Sequence, residues 1–307
     1  MIEHITHALY YFEVHLLYAT LVWFAAWALT SIPRVNATTR YWIWVLTALN
    51  FIIPVGAVVD KFWGWHLTWA RPLGAIGDAG LRIMDNGIMF GAVWFLGAIL
   101  MAGRLFWRLR TDRRNAQSSQ NATDSKHNFL VQGTPVRFSP AGNGPVVDGV
   151  LHPHICLPNG IDRLLTKSEL NAVLIHELTH ARRLDNLIRL IYEVERCVLW
   201  FHPLVWLTGY RIALYRELSC DESVIQSAHG GQLVSALAKL ANPEDAFLLQ
   251  ARASSFLSSR LALLTAAPSQ GMNRIANVLV DVLFGAALLA GVLGTVAHTA
   301  CCWIART

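Results

Sequence analysis

Leu174-Ile175-His176-Glu177-Leu178-Thr179-His180-Ala181-Arg182-Arg183-Leu184-Asp185 carries the pattern His-Glu-x-x-His. Residues four apart on a helix share a face, so His176 and His180 can present both imidazoles to one metal ion while Glu177 reaches a water on that ion. Upstream, Thr166-Lys167-Ser168-Glu169 has the form of a capping box and predicts that the helix starts there. Leu170, Leu174, Leu178 and Ala181 line one side of that helix, and Val173, His176, His180 and Leu184 another. A helix apolar on two sides is buried, and its polar groups need partners.

A catalytic zinc takes three protein ligands and leaves a fourth position for water. Glu217 is the candidate third ligand. It opens the pair Glu217-x-x-x-Asp221 on one helical face, downstream of a hydrophobic stretch. Asp221 then suits the ring N–H of a ligand histidine, with His176 the expected partner. Glu177 is placed to take a proton from the zinc-bound water and return it to the leaving amine. These parts point to peptide hydrolysis with one Zn2+ per chain. The rival reading is a non-catalytic membrane signal transducer or scaffold whose motif binds metal structurally.

Of the 307 residues, 54% are hydrophobic and 15% charged, a balance that points to the membrane rather than to an ordinary soluble domain. The formal charge of +5 sits mostly beside apolar runs, which favours anchoring in a bilayer over direct nucleic-acid binding. Crossings are expected at about Tyr10–Ile32, Tyr41–Val59, Gly87–Gly103 and Ala276–Ala300. Arg104, Arg108, Arg110, Arg113 and Arg114 follow the third, so that end is cytoplasmic and both termini lie outside. Between the second and third runs, Asp60–Asn86 with Trp63, Trp65 and Trp69 reads as an outer interfacial loop.

The resulting division is three crossings over residues 1–110, a flexible polar linker over 111–128, a cytoplasm-facing peptidase domain over 129–275, and a fourth crossing with a short tail over 276–307. Pro135–Phe138 and Val146–Leu157 read as short strands before the motif helix. The strand with His154, Ile155 and Cys156 is expected to border the cleft and pair with extended substrate. Leu187–Tyr215 reads as a helical hairpin broken at His202-Pro203, with a polar helix beginning at Arg216 and helical patterns again over Leu233–Leu240 and Leu257–Leu264. Asp185 and Asn186 are expected to end the motif helix. The five cysteines have no Cys-x-x-Cys spacing, and Cys156 and Cys220 read as reduced thiols.

Gly149-Val150-Leu151 with Pro153, Ile155 and Leu157-Pro158, Glu169 to His180, Arg182-Arg183-Leu184-Asp185-Asn186, Trp200-Phe201-His202-Pro203-Leu204-Val205-Trp206 and Arg216-Glu217-Leu218-Ser219-Cys220-Asp221-Glu222 together resemble the BlaR/MecR family of bacterial membrane zinc peptidases. The resemblance implies a mainly α membrane protein with four transmembrane helices and an inserted α+β, gluzincin-like zinc metallopeptidase domain at the inner membrane. Its ligands would stand at His176, His180 and Glu217, with Glu177 as base. It also implies an antirepressor role, acting on a cytoplasmic regulator such as a transcriptional repressor. Members that detect beta-lactams carry a penicillin-binding sensor after the fourth span. Only Cys301–Thr307 follow it here, so control by a separate sensor protein or within a homo-oligomer is expected instead.

Overall fold

The computed structural model describes residues 2–53, 87–121, 129–139, 144–240 and 258–265, with 277, 279–280, 282 and 284–285. The expected outer loop Asp60–Asn86 lies outside the described residues, as do most of the fourth apolar run and residues 122–128. The chain divides into two units, 1–102 with 194–210 and 271–307, and 103–193 with 211–270.

The first unit is helical. Helix α1 (Ile2–Thr30) and helix α2 (Ala37–Ile52) pack through Trp23 and Trp44, whose rings lie 5.5 Å apart, and Asn36 caps α2 by accepting from Thr39 N. Helix α3 (Gly87–Asn121) contains the stretch Gly91–Thr111, which alone among the described residues is long and apolar enough to cross a membrane, and none of it is buried. Met89, Phe95, Leu100 and Trp107 are more than half exposed on it, a surface that water solvates poorly. At Gly97 a Cβ would fall inside the Trp200 indole, so only glycine lets that ring approach. Trp200 Nε1 donates to Trp94 O, and Trp94 Nε1 to Val198 O.

The polar residues 111–121, expected as linker, continue α3. From Arg104 to Asn121 the sequence has neither glycine nor proline. Extending an existing helix adds one hydrogen bond per residue fixed, whereas starting one is costly, so middling propensity suffices.

In the second unit a four-stranded sheet has the order β1-β2-β4-β3, with β1 (Phe129–Val131), β2 (Thr134–Ser139), β3 (Val146–Asp148) and β4 (His154–Pro158). Gln132 and Gly133, both at positive φ, make the two-residue turn between β1 and β2. β4 runs parallel to β2 and antiparallel to β3, with Ile155 opposite Val136 on one side and Val147 on the other. The expectation that His154, Ile155 and Cys156 pair with substrate therefore needs correction: β4 is an interior strand whose two edges are taken. A sequence pattern of alternating residues identifies a strand but not its neighbours.

Helix α4 (Ile161–Leu164) leads into α5 (Lys167–Arg182), the motif helix. Its capping box is present: Thr166 Oγ1 accepts from Glu169 N, and Glu169 Oε2 accepts from Thr166 N. Ala172, Val173 and Leu178 join Val136, Ile155, Leu157, Val224 and Leu233 in the core of this unit. Leu184, at φ +55, turns the chain sharply, and Asp185 opens α6 (Asp185–Val198) instead of ending α5. Helix α7 (Pro203–Gln226) is continuous, so Arg216 continues a helix already under way, and α8 (Gly230–Leu240) follows.

Candidate metal centre

Capping fixes the start of α5, and its period then puts His176 and His180 side by side, with ring centroids 4.9 Å apart and Nε2 atoms 3.2 Å apart. Two imidazole nitrogens facing each other so closely, one on buried His176 and one on part-buried His180, suit a shared cation. Helix α7 brings Glu217 to the same point: Oε2 is 3.7 Å from His176 Nε2, and Oε1 is 4.0 Å from His180 Nε2. Ligand atoms about 2.0–2.1 Å from a tetrahedral zinc lie roughly 3.3–3.4 Å from one another. The three side chains fit such an ion after a small inward shift of Glu217.

Each histidine has a carboxylate behind it. Asp221 Oδ1 lies 3.1 Å from His176 Nδ1, an ion-pair contact too bent to be a good hydrogen bond. Asp185 Oδ2 lies 2.6 Å from His180 Nδ1. Both acids therefore sit at Nδ1, leaving Nε2 of each ring turned toward the shared point. Burial alone would lower His176, but Asp221 and Glu217 outweigh it and raise the ring to about 9. Burial likewise works against ionised Glu217 and Asp221. His176 with Arg216 for the first, and His176 with Arg260 for the second, hold both below the usual carboxylate range.

Three arginines brace these acids. Arg216 donates to Glu217 Oε1 at 2.9 Å. Arg260, in the helical stretch 258–265, donates through Nε and Nη2 to the two oxygens of Asp221, both at 2.8 Å, and stands 3.6 Å from Glu217 Oε2. Arg183 donates to Asp185 Oδ2 at 2.7 Å, to the Arg216 carbonyl and to Ser219 Oγ, tying the end of α5 to α7. Glu177 is buried beside the pair, and its charge is felt at His176 and Arg260.

Cys220 also comes near the histidines, but its Sγ approaches His180 Nδ1, at 3.5 Å, the nitrogen that Asp185 holds. Burial pushes this thiol up, and because it meets Nδ1 rather than the Nε2 pair that Glu217 faces, Glu217 is the better third donor. Spacing along the chain brings His176, Glu177, His180, Glu217 and Asp221 together as expected. It does not reveal Arg260, distant in sequence and outside any motif, nor Arg183. Asp185 was open to recognition: an acid just past the helix end can fold back on the last histidine. His154, Ile155 and Cys156 do not join the centre. Ile155 faces the core, while His154 and Cys156 share the other face of β4 with Asp148.

A protein-family model described as BlaR1 peptidase M56 matches residues 79–264. The chain is 30% identical over 176 residues to the protein named Regulatory protein BlaR1 of Bacillus licheniformis, covering 53% of this chain and 29% of that protein. It is 23% identical over 146 residues to the Methicillin resistance mecR1 protein of Staphylococcus aureus, covering 44% of this chain and 24% of that protein. The alignments thus span less than a third of the length of these curated relatives.

Proposed function

This chain belongs to the BlaR1 peptidase M56 family, and from that footing we propose that it is an integral-membrane zinc endopeptidase that cuts a cytoplasmic regulatory protein, such as a transcriptional repressor. The observation that carries this reading is the convergence of His176 Nε2, His180 Nε2 and Glu217 within 3.2–4.0 Å beside buried Glu177. Zinc bound there would act as a Lewis acid toward water and the scissile carbonyl.

The chain's own residues do the rest. His176 and His180 are held in one ring orientation by Asp221 and Asp185 at Nδ1, so Nε2 of each is turned toward the cation, which must displace a proton from His176 to bind. The Glu177 carboxylate accepts a proton from the attacking water and delivers it to the leaving amine nitrogen. Arg260 and Arg216 keep Asp221 and Glu217 ionised and in place. Extended substrate is best accommodated near β3, the sheet edge that packs against α5. The exposed apolar face of α3 and the arginines at its C-terminal end support a crossing of the bacterial inner membrane with the peptidase domain on the cytoplasmic side, and the other apolar runs of the sequence make the proposed arrangement multi-pass. A separate sensor protein or a second copy of the chain would govern activity.

Trapping with Glu177→Gln in native membranes tests this. The variant is expected to keep its metal, to lose cleavage by about two to four orders of magnitude, and to retain a substrate protein that the wild type releases. Cleavage at the wild-type rate by a folded Glu177→Gln chain would refute the assignment.

A further inference from the structure

The face of the sheet away from the core carries a second group of donors. In the β3–β4 pair Asp148 stands opposite His154, and Cys156 follows two residues along the same strand, so all three side chains emerge on one side. A carboxylate oxygen, an imidazole nitrogen and the thiol sulfur of these residues lie within 4.8 Å of one another. His154 is 8% exposed, and its Nε2 has no hydrogen-bond partner among the described residues although it is buried; the nearest acid oxygen, Asp148 Oδ2, is 3.8 Å away. A buried ring nitrogen left bare is costly unless something binds it.

The surrounding backbone holds the group in place. Asp148 Oδ1 accepts from Gly149 N at 2.7 Å, which turns Oδ2 toward His154. Gly149 is at φ +88, and a Cβ there would press on the His152 carbonyl, so the turn depends on glycine. Asn186 Nδ2 donates to the carbonyls of Val147 and Gly149, both at 3.0 Å, pinning the end of β3 to the first turn of α6.

We propose that Asp148, His154 and Cys156 form a second cation site, for a borderline-soft divalent ion of the zinc or cobalt class, separate from the centre on α5. One sulfur, one nitrogen and one oxygen donor, partly open to solvent at Cys156, match that class better than magnesium or calcium, which take oxygen ligands. Burial and the Arg137 charge lower His154, keeping its ring neutral and its Nε2 lone pair free. Burial and Asp148 raise the Cys156 thiol. Binding therefore forms a metal–thiolate bond and releases the thiol proton to solvent. An ion there clips the edge strand β3 to β4 on the face of the sheet away from the core.

Cobalt(II) titration of the detergent-solubilised full chain tests the site. A sulfur ligand gives a thiolate-to-cobalt charge-transfer band in the near ultraviolet, which the nitrogen and oxygen donors of the first centre do not give. The band is expected in the wild type, to be retained in His176→Ala and Cys220→Ser, to be lost in Cys156→Ser, and to need at least about ten-fold more cobalt in Asp148→Asn. Its absence from folded wild type, or its persistence in Cys156→Ser, would overturn the proposal; loss in Cys220→Ser instead would assign the sulfur to the first centre. Should Cys156→Ser fail to fold, alkylation of Cys156 in the unaltered chain decides. Zinc is expected to slow it about ten-fold or more, and equal rates with and without zinc would overturn the site. A chain inactive as a peptidase but showing the band would leave this site standing.

Discussion

His176 and His180 differ in how their carboxylate partners are braced. Asp185 answers both His180 and Arg183, whereas Asp221, fully buried, answers His176 and the fork of Arg260. Removing the charge from either acid frees a ring to rotate, and such changes typically cost about 10- to 100-fold in metal affinity. Asp185→Asn is therefore expected to weaken zinc binding by that factor in a chain that still folds, read by competition with a chromophoric chelator. Asp221→Asn should do the same and also lower the melting temperature, because it leaves the Arg260 guanidinium buried without its carboxylate. The pH dependence has a definite sign. His176 of the metal-free chain is raised to about 9, so below that pH a proton competes for Nε2. Apparent zinc affinity should fall by roughly ten-fold per unit as the pH drops from there; affinity that rises on acidification would contradict the assignment of His176 as a ligand.

At the level of elements, α5 is set at its N-terminus and tied to α8 by one residue. Glu169 accepts from Thr166 N, from Ser235 Oγ and from Lys239 Nζ, the last at 2.7 Å. Hydrogen bonds from Lys239 and Ser235, with the Thr166 backbone, pull its carboxyl down to about 2. A depressed carboxylate contributes stability that is complete above its unfolded value of 4.5 and is lost as pH falls through about 2, so thermal stability should decline across that window, and the decline should vanish in Glu169→Gln. Thr166→Ala removes the cap oxygen and is expected to cost about 1 kcal/mol. This helix, its cap and its histidine spacing were legible in the sequence because all are local. So was the Glu217–Asp221 pair, one helical turn apart. What lay outside reach was set by contacts between elements: the interior place of β4, the continuity of α7 through Arg216, and the approach of Arg260 to Asp221. The run of α3 through residues 111–121 is hidden for a different reason: a polar composition fits a linker as well as a helix, and extension of the helix already formed decides.

For the whole molecule, composition pointed to the membrane, and the described residues contain one stretch, Gly91–Thr111, that meets the length and apolarity of a crossing. Arginines from Arg104 onward crowd the C-terminal end of that stretch and, in the proposed topology, face the cytoplasm. A single cysteine introduced at Ser118 should react with membrane-impermeant reagent only from the cytoplasmic side, and labelling only from outside would move the peptidase domain, and with it the substrate, across the membrane. The family match covers residues 79–264 and so bears on the histidine pair, Glu217 and Arg260 together. In the proposed centre His176, His180 and Glu217 hold one zinc ion in the folded chain. This is tested most directly by the zinc content of purified wild type set against folded His180→Ala and Glu217→Ala: we predict a loss of about one ion per chain in each variant, and unchanged zinc content in both would contradict the account.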